Sequence, residues 1–314
     1  FWAIIFGKLF SAAFGMVLGY VMHPYRPKFD FYQWRDLLQF SKSTIPLSMG
    51  RFINNQADVV VMGKVASADY LGKYHMASNL AAMFTKELLI PVIRGLIPNL
   101  AALQNNPGYN KTLSQIIASA VYVFLPIGMG LAATAPELVA VLLGQQWADT
   151  APMLAWLSLY CTVGGILMFV SEQFLVLMHK EQLSNRLMWM RNAILLLTIA
   201  VTLWQLSFVQ LPQMLFLSTL LTLPLTVVFV ARALELPLWQ LLMHWWPAIM
   251  AACLMLFAIK FLPWPQLPVY ILLVVKVLFG ALSYAISVML IYYLRGKPDD
   301  SVEGLILGKL KARR

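Results

Sequence analysis

Charge is scarce in this chain: only 11% of its 314 residues are Asp, Glu, Lys or Arg, against about a quarter in an ordinary soluble domain. Too little polar surface is available to clothe a water-facing globule, which excludes a soluble enzyme. Cysteine is almost absent. Cys161 and Cys253 each stand in an apolar run with no second Cys or His at ligand spacing, which excludes a metal cluster and an evident disulfide framework. No HExxH, no DDxxD, no Gly-rich phosphate loop and no nucleophile beside a base can be found, so neither catalytic machinery nor a cofactor is expected. What fills the chain is apolar: 61% of residues are hydrophobic and the mean hydropathy is +0.74, which excludes disorder and makes the bilayer the solvent for most of it. Basic residues exceed acidic ones by 23 to 13. In a membrane protein that surplus belongs to cytoplasmic loops, and no nucleic-acid partner is expected.

A helix crossing the hydrocarbon needs roughly 20 apolar residues, because its backbone polar groups must be satisfied within the segment. Nine stretches approach that length, at 3–22, 43–65, 70–90, 111–133, 151–178, 187–206, 211–230, 247–262 and 268–294. The fold expected is all-α, a polytopic helical membrane protein with about nine transmembrane helices. Basic residues including Arg26, Lys28, Lys42, Arg94, Lys180, Arg186, Arg191, Arg232, Arg295 and Lys309 fall in or beside alternate connections, while the opposite ones hold only Lys64 and Lys73. By the positive-inside rule the C-terminus is cytoplasmic. The chain opens on Phe1 inside an apolar run, and we expect preceding segments to be missing.

Two runs mix aromatics with polar residues beside cytoplasmic exits, FDFYQWRDLLQF at 29–40 and PLWQLLMHWW at 237–246. Both read as helices lying along the headgroups. A third short interfacial helix is expected within 134–150, ending at Trp147.

The second span carries Arg51, Asn54, Asn55, Gln56 and Asp58. Their three-, four- and seven-residue spacing puts Arg51, Asn54 or Asn55, and Asp58 on one helical face. A charge at mid-bilayer costs at least roughly 2.5–3.5 kcal/mol, so this face must meet protein or water, as a hydrated cavity or a buried polar seam. Lys86 and Glu87 lie near the inner end of the third span, where Lys86 can also snorkel to the headgroups. Glu172 and Gln173 lie inside the fifth, on a cavity wall or in a helix–helix pair. Lys260 reads as snorkelling, and Lys276 is deep enough in the last span to face a groove.

The stretch NNQADVVVMGKVASADYLGKYHMASNLAAMF, with IPVIRGLIPNLAALQNN and LPIGMGLAATAPELVAVLLGQQWADTAPML after it, resembles the Wzx-type polysaccharide flippases of the multidrug/oligosaccharidyl-lipid/polysaccharide exporter superfamily. It is most similar to the colanic acid and O-antigen branch. The resemblance rests on Gln56-Ala57-Asp58 in a span, Leu71-Gly72-Lys73-Tyr74 at the following turn, the prolines Pro91 and Pro98, and Leu143-Gly144 before Trp147. It covers about residues 29–179. That family usually has fourteen spans in two six-helix lobes plus a final pair. The resemblance therefore implies that 1–28 is the last helix of a missing N-terminal lobe and its cytoplasmic linker. Residues 29–236 become the six-helix second lobe with its interfacial helix, 237–294 the extra pair, and 295–314 a basic cytoplasmic tail.

The same resemblance implies a bacterial inner-membrane flippase. Its cargo is an oligosaccharide on undecaprenyl pyrophosphate, moved by alternating access, often coupled to H+ or Na+. Arg51 and Lys86 suit a pyrophosphate, and Asn54 and Asn55 suit sugar hydroxyls. Asp58, Glu87 and Glu172 are the candidates for the coupling cation. A cation or drug antiporter of the same superfamily would want an acidic cavity, against which Arg51 and Lys86 argue. A membrane-embedded polymerase or glycosyltransferase would want a large outer loop with clustered catalytic side chains, and no connection here is long enough. An inert product of a split gene is a further alternative.

Overall fold

The computed structural model describes residues 2–22, 34–85, 87–88, 91, 109–168, 175, 178, 180–205, 207–235 and 237–296. Among them are ten α-helices and no strand, so the chain is all-α and polytopic. In order they are α1 (Trp2–Met22), α2 (Trp34–Val65), α3 (Ala68–Phe84), α4 (Tyr109–Ala133), α5 (Ala135–Leu142), α6 (Thr150–Met168), α7 (Glu181–Gln205), α8 (Leu211–Leu234), α9 (Leu238–Phe261) and α10 (Val269–Leu294).

The chain divides into two compact units, Phe1–Ser48 and Met49–Arg314. In the first, α1 is 21 residues long, about 30 Å at 1.5 Å per residue. Its Phe6, Phe10, Phe14, Val17 and Val21 are not covered by the rest of that unit.

Among the described residues, seven helices are long and apolar enough to cross a membrane: α1, α4, α6, α7, α8, α9 and α10. The two expected spans that fall short do so for different reasons. α2 has 32 residues and length to spare, but its polar stripe dilutes the hydropathy. α3 has 17 described residues before its cap at Thr85.

The two runs expected to lie separately on the headgroups do not form separate helices. Residues 34–40 are the opening turns of α2, which continues through Pro46, and 238–246 are those of α9, which continues through Pro247. The reason is visible in α9. Leu241, Trp245, Ala248 and Ala252 recur at four- and three-residue spacing, are all nearly inaccessible, and belong to one core with Leu113, Ile117 and Val121 of α4. A buried stripe that spans the proline holds the helix together across the hydrogen bond that proline cannot donate. The short helix expected within 134–150 is α5, followed by a 3-10 turn at Gln145–Trp147.

In the second unit α6 is central and α10 peripheral: 67% of α6 is buried but only 6% of α10. α6 packs on α3, α4 and α8, and α9 packs on α4 and α10. Close backbone approach is what binds helices to one another where lipid is as apolar as leucine. Gly128 of α4 provides it, since a Cβ there would stand 1.9 Å from Thr162 Oγ1 of α6.

Candidate functional site

The polar site grows from α2. Gly50 is buried, and a Cβ on it would stand 2.3 Å from Met188 Cε of α7. This close approach lets the Asn192 side-chain amide donate to the Gly50 carbonyl at 2.8 Å. One turn on, Asn54 Nδ2 donates to Asn192 Oδ1 at 3.4 Å. The two asparagines tie α2 to α7, and beside them Arg191 is buried, only 7% exposed.

Asn54 and Arg191 open onto a narrow cavity whose other polar lining is Tyr160 of α6 and Ser218, Thr219 and Thr222 of α8. These hydroxyls donate to carbonyls of their own helix: Ser218 to Leu215 at 2.7 Å, Thr219 to Phe216 at 2.6 Å, and Thr222 to Thr219 at 3.0 Å. Their oxygen lone pairs remain as acceptors, so this wall can accept hydrogen bonds, and Arg191 brings a positive charge to the lining. The space is about 20 Å³, room for about one water, where ligand pockets run to roughly 300–1,000 Å³.

One turn beyond Asn54, Asp58 is 6% exposed and accepts a hydrogen bond from the Tyr74 hydroxyl of α3 at 2.5 Å. The stripe on α2 is therefore divided among environments. Asn54 lines the cavity, Asp58 lies in a buried seam, and Arg51, Asn55 and Gln56 are exposed. The α2 stripe meets α7 and α3 at different heights, so equal angular position does not bring equal burial. Glu87 is exposed and does not line the cavity. Lys86, Glu172 and Gln173 lie outside the described residues.

Arg191 counts by sequence among the basic residues in or beside alternate connections, and the structure adds its burial. It lies within α7 and is buried in the bundle. The signal was present: Arg191-Asn192 interrupts the run MWMRNAILLL just as Arg51 and Asn54 interrupt α2. Likewise Ser218, Thr219, Thr222 and Thr226 form a hydroxyl stripe at helical spacing inside an otherwise apolar span. A second charged site also went unassigned. Lys276 of α10 pairs with Glu137 of α5 at 2.5 Å, with both side chains 12% exposed.

Comparison with known proteins adds two likenesses. Residues 1–152 match a family described as polysaccharide biosynthesis protein. Over 162 residues the chain is 27% identical to the succinoglycan biosynthesis transport protein ExoT of Rhizobium meliloti (strain 1021), a match covering 50% of this chain and 33% of that protein. The matched part thus spans about a third of the relative's length. No solved structure matches. Both likenesses fall within polysaccharide biosynthesis, and of the two names the relative's is that of a transport protein.

Proposed function

We propose that this chain is part of a flippase that carries oligosaccharide units, linked to undecaprenyl pyrophosphate, across the bacterial inner membrane for surface polysaccharide assembly. The observation that carries the reading is the narrow polar pocket lined by Asn54 and Arg191 among α2, α6, α7 and α8, in a chain whose residues 1–152 match a polysaccharide biosynthesis family. Polar side chains inside a bundle of membrane-length helices are costly unless they meet something polar, and a pathway for a charged, hydroxyl-rich cargo is such a use.

In this reading Arg191, with Arg51 and Lys86, offers cations to the pyrophosphate, while Asn54 and Asn55 offer amides to sugar hydroxyls. Asp58, Glu87 and Glu172 are the carboxylates available to a coupling H+ or Na+. The narrow pocket of about 20 Å³ is too small for such a cargo, which in an alternating-access cycle enters when the helices part. A cationic solute is a poorer fit, because among the described lining residues the charged one is Arg191.

The test uses the protein as its gene encodes it, reconstituted in liposomes with a fluorescent lipid-linked oligosaccharide whose leaflet is reported by a membrane-impermeant quencher. Arg191→Ala is expected to cut translocation at least about tenfold, the loss of one charge-assisted contact, with insertion unchanged. Undiminished translocation removes Arg191 from the pathway.

A further inference from the structure

A second space, separate from the polar cavity, lies between α4 and α10 over the floor made by α9, with a volume of about 460 Å³. Along α10 its lining runs from Leu273 to Tyr284, about 16 Å at 1.5 Å per residue. It is therefore a groove parallel to the helices. One end is closed where the Tyr284 hydroxyl donates to the Tyr122 carbonyl at 2.8 Å. At the other end stands the Lys276–Glu137 pair, with the Lys276 ammonium 5.5 Å from the centre of the Trp264 ring.

Between those ends the walls are almost wholly apolar, Pro126, Gly130, Ile259, Val277 and Ala281 among them. The Thr134 hydroxyl at the charged end already donates to the Gly130 carbonyl at 2.9 Å. Lys276 has three N–H donors, one of which goes to Glu137 Oε1. Glu137 Oε2 is buried and finds no hydrogen-bond donor among the described residues. A buried carboxylate oxygen left this way costs about 1–3 kcal/mol or more, so a donor from outside the chain has something to gain there.

An apolar channel of this length, aligned with the helices and polar at one end, has the shape of a single acyl chain with its headgroup. The charges narrow the headgroup. Lys276 and Glu137 sum to zero, so an anionic headgroup gains no net attraction, whereas one carrying a charge of each sign meets a partner for both. A phosphodiester oxygen accepts from Lys276, and an ammonium with N–H bonds donates to Glu137. A trimethylated ammonium has no N–H to give.

We infer that this groove seats one acyl chain of a phospholipid with a primary-ammonium headgroup, its phosphate on Lys276 and its ammonium on Glu137.

The protein as its gene encodes it, extracted in mild detergent, is exposed to phosphatidylethanolamine, phosphatidylcholine or phosphatidylglycerol of identical acyl chains, and bound lipid is counted by native mass spectrometry. The ethanolamine lipid is expected to be retained as one copy, about tenfold better than either other, as one charge-assisted hydrogen bond implies. Gly130→Leu fills the groove, since a Cβ there has Met255 Cε as its nearest neighbour at 3.8 Å, and it is expected to abolish retention with the helical content unchanged. Should that variant not fold, a photoreactive side chain at Val277, which is 52% exposed, is expected to yield an adduct on a phospholipid acyl chain. Equal retention of the three headgroups overturns the inference, as does lipid that persists in the Gly130→Leu protein. An adduct at Val277 on a polyprenyl phosphate in preference to phospholipid overturns it too.

Discussion

The Tyr74 hydroxyl and the Asp58 carboxylate meet at 2.5 Å across the α2–α3 contact, 16 residues apart in sequence. Tyr74 is completely buried and Asp58 nearly so. Each supplies what the other lacks away from water, a donor for a carboxylate and an acceptor for a phenol. This bond decides how Asp58 sits inside the bundle, and it makes the residue a member of a packed seam before it is anything else.

Removing that donor leaves a carboxylate buried without it. Tyr74→Phe is expected to destabilise the protein by about 1–3 kcal/mol, read as a lowered midpoint in thermal unfolding of the detergent-solubilised protein. Adding Asp58→Leu to Tyr74→Phe is expected to recover part of the loss, because both halves of the bond are then apolar. A Tyr74→Phe protein as stable as the parent sinks this account of the seam.

The Lys276–Glu137 pair obeys the same logic with full charges. Glu137→Gln leaves Lys276 charged with only an amide oxygen facing it in a site 12% exposed, at an expected cost of about 3–5 kcal/mol. The double change Glu137→Leu with Lys276→Met is expected to lie within about 1 kcal/mol of the parent, since two apolar side chains replace two desolvated ions. A double-mutant cycle on unfolding midpoints measures the difference, and purely additive losses count against a coupled pair.

Gly128 and Gly50 both permit close helix approach, but with unequal neighbours. A Cβ at Gly128 meets Thr162 Oγ1, Cβ and Cγ2, whereas one at Gly50 meets chiefly the flexible tip of Met188. Gly128→Ala is expected to destabilise by about 1–3 kcal/mol through overpacking, and Gly50→Ala by less. Thr162→Ala is expected to rescue Gly128→Ala. Equal effects of the two glycine substitutions on thermal stability contradict this reading of the α4–α6 contact.

The exposed part of the α2 stripe is expected to be wet in the membrane-inserted protein. In a background without Cys161 and Cys253, Asn55→Cys is expected to react with a water-soluble maleimide, while Met62→Cys, at a fully buried position, is not. Thiols react as thiolates, which form in water and not in hydrocarbon. Silence at position 55 under every transport condition assigns that residue to lipid and removes it from the proposed pathway.

Much of the architecture was legible in the chain. The apolar runs that became α1, α4, α6, α7, α8 and α10 could be read directly, because a lipid-spanning segment must be long, apolar and hydrogen-bonded within itself. The runs before Pro46 and Pro247 were misread as surface helices because proline and mixed polarity signal a break locally. The buried stripe Leu241, Trp245, Ala248 and Ala252 shows its worth only once α4 lies against it.

For the site, Asn54 stood out because it interrupts an apolar span, and it does line the cavity. Arg191 interrupts one too, but a basic residue four positions into an expected span is indistinguishable by sequence from one at the membrane boundary. Composition and periodicity by themselves determined that this is a bundle of lipid-crossing helices with a polar stripe on α2, since those properties depend on one segment and its solvent. Tertiary structure alone decided which polar groups meet, Asn54 with Asn192 across 138 positions and Lys276 with Glu137 across 139. Pairings between helices depend on crossing height and rotation, and these are set by the packing of every neighbour at once and by no local run of residues.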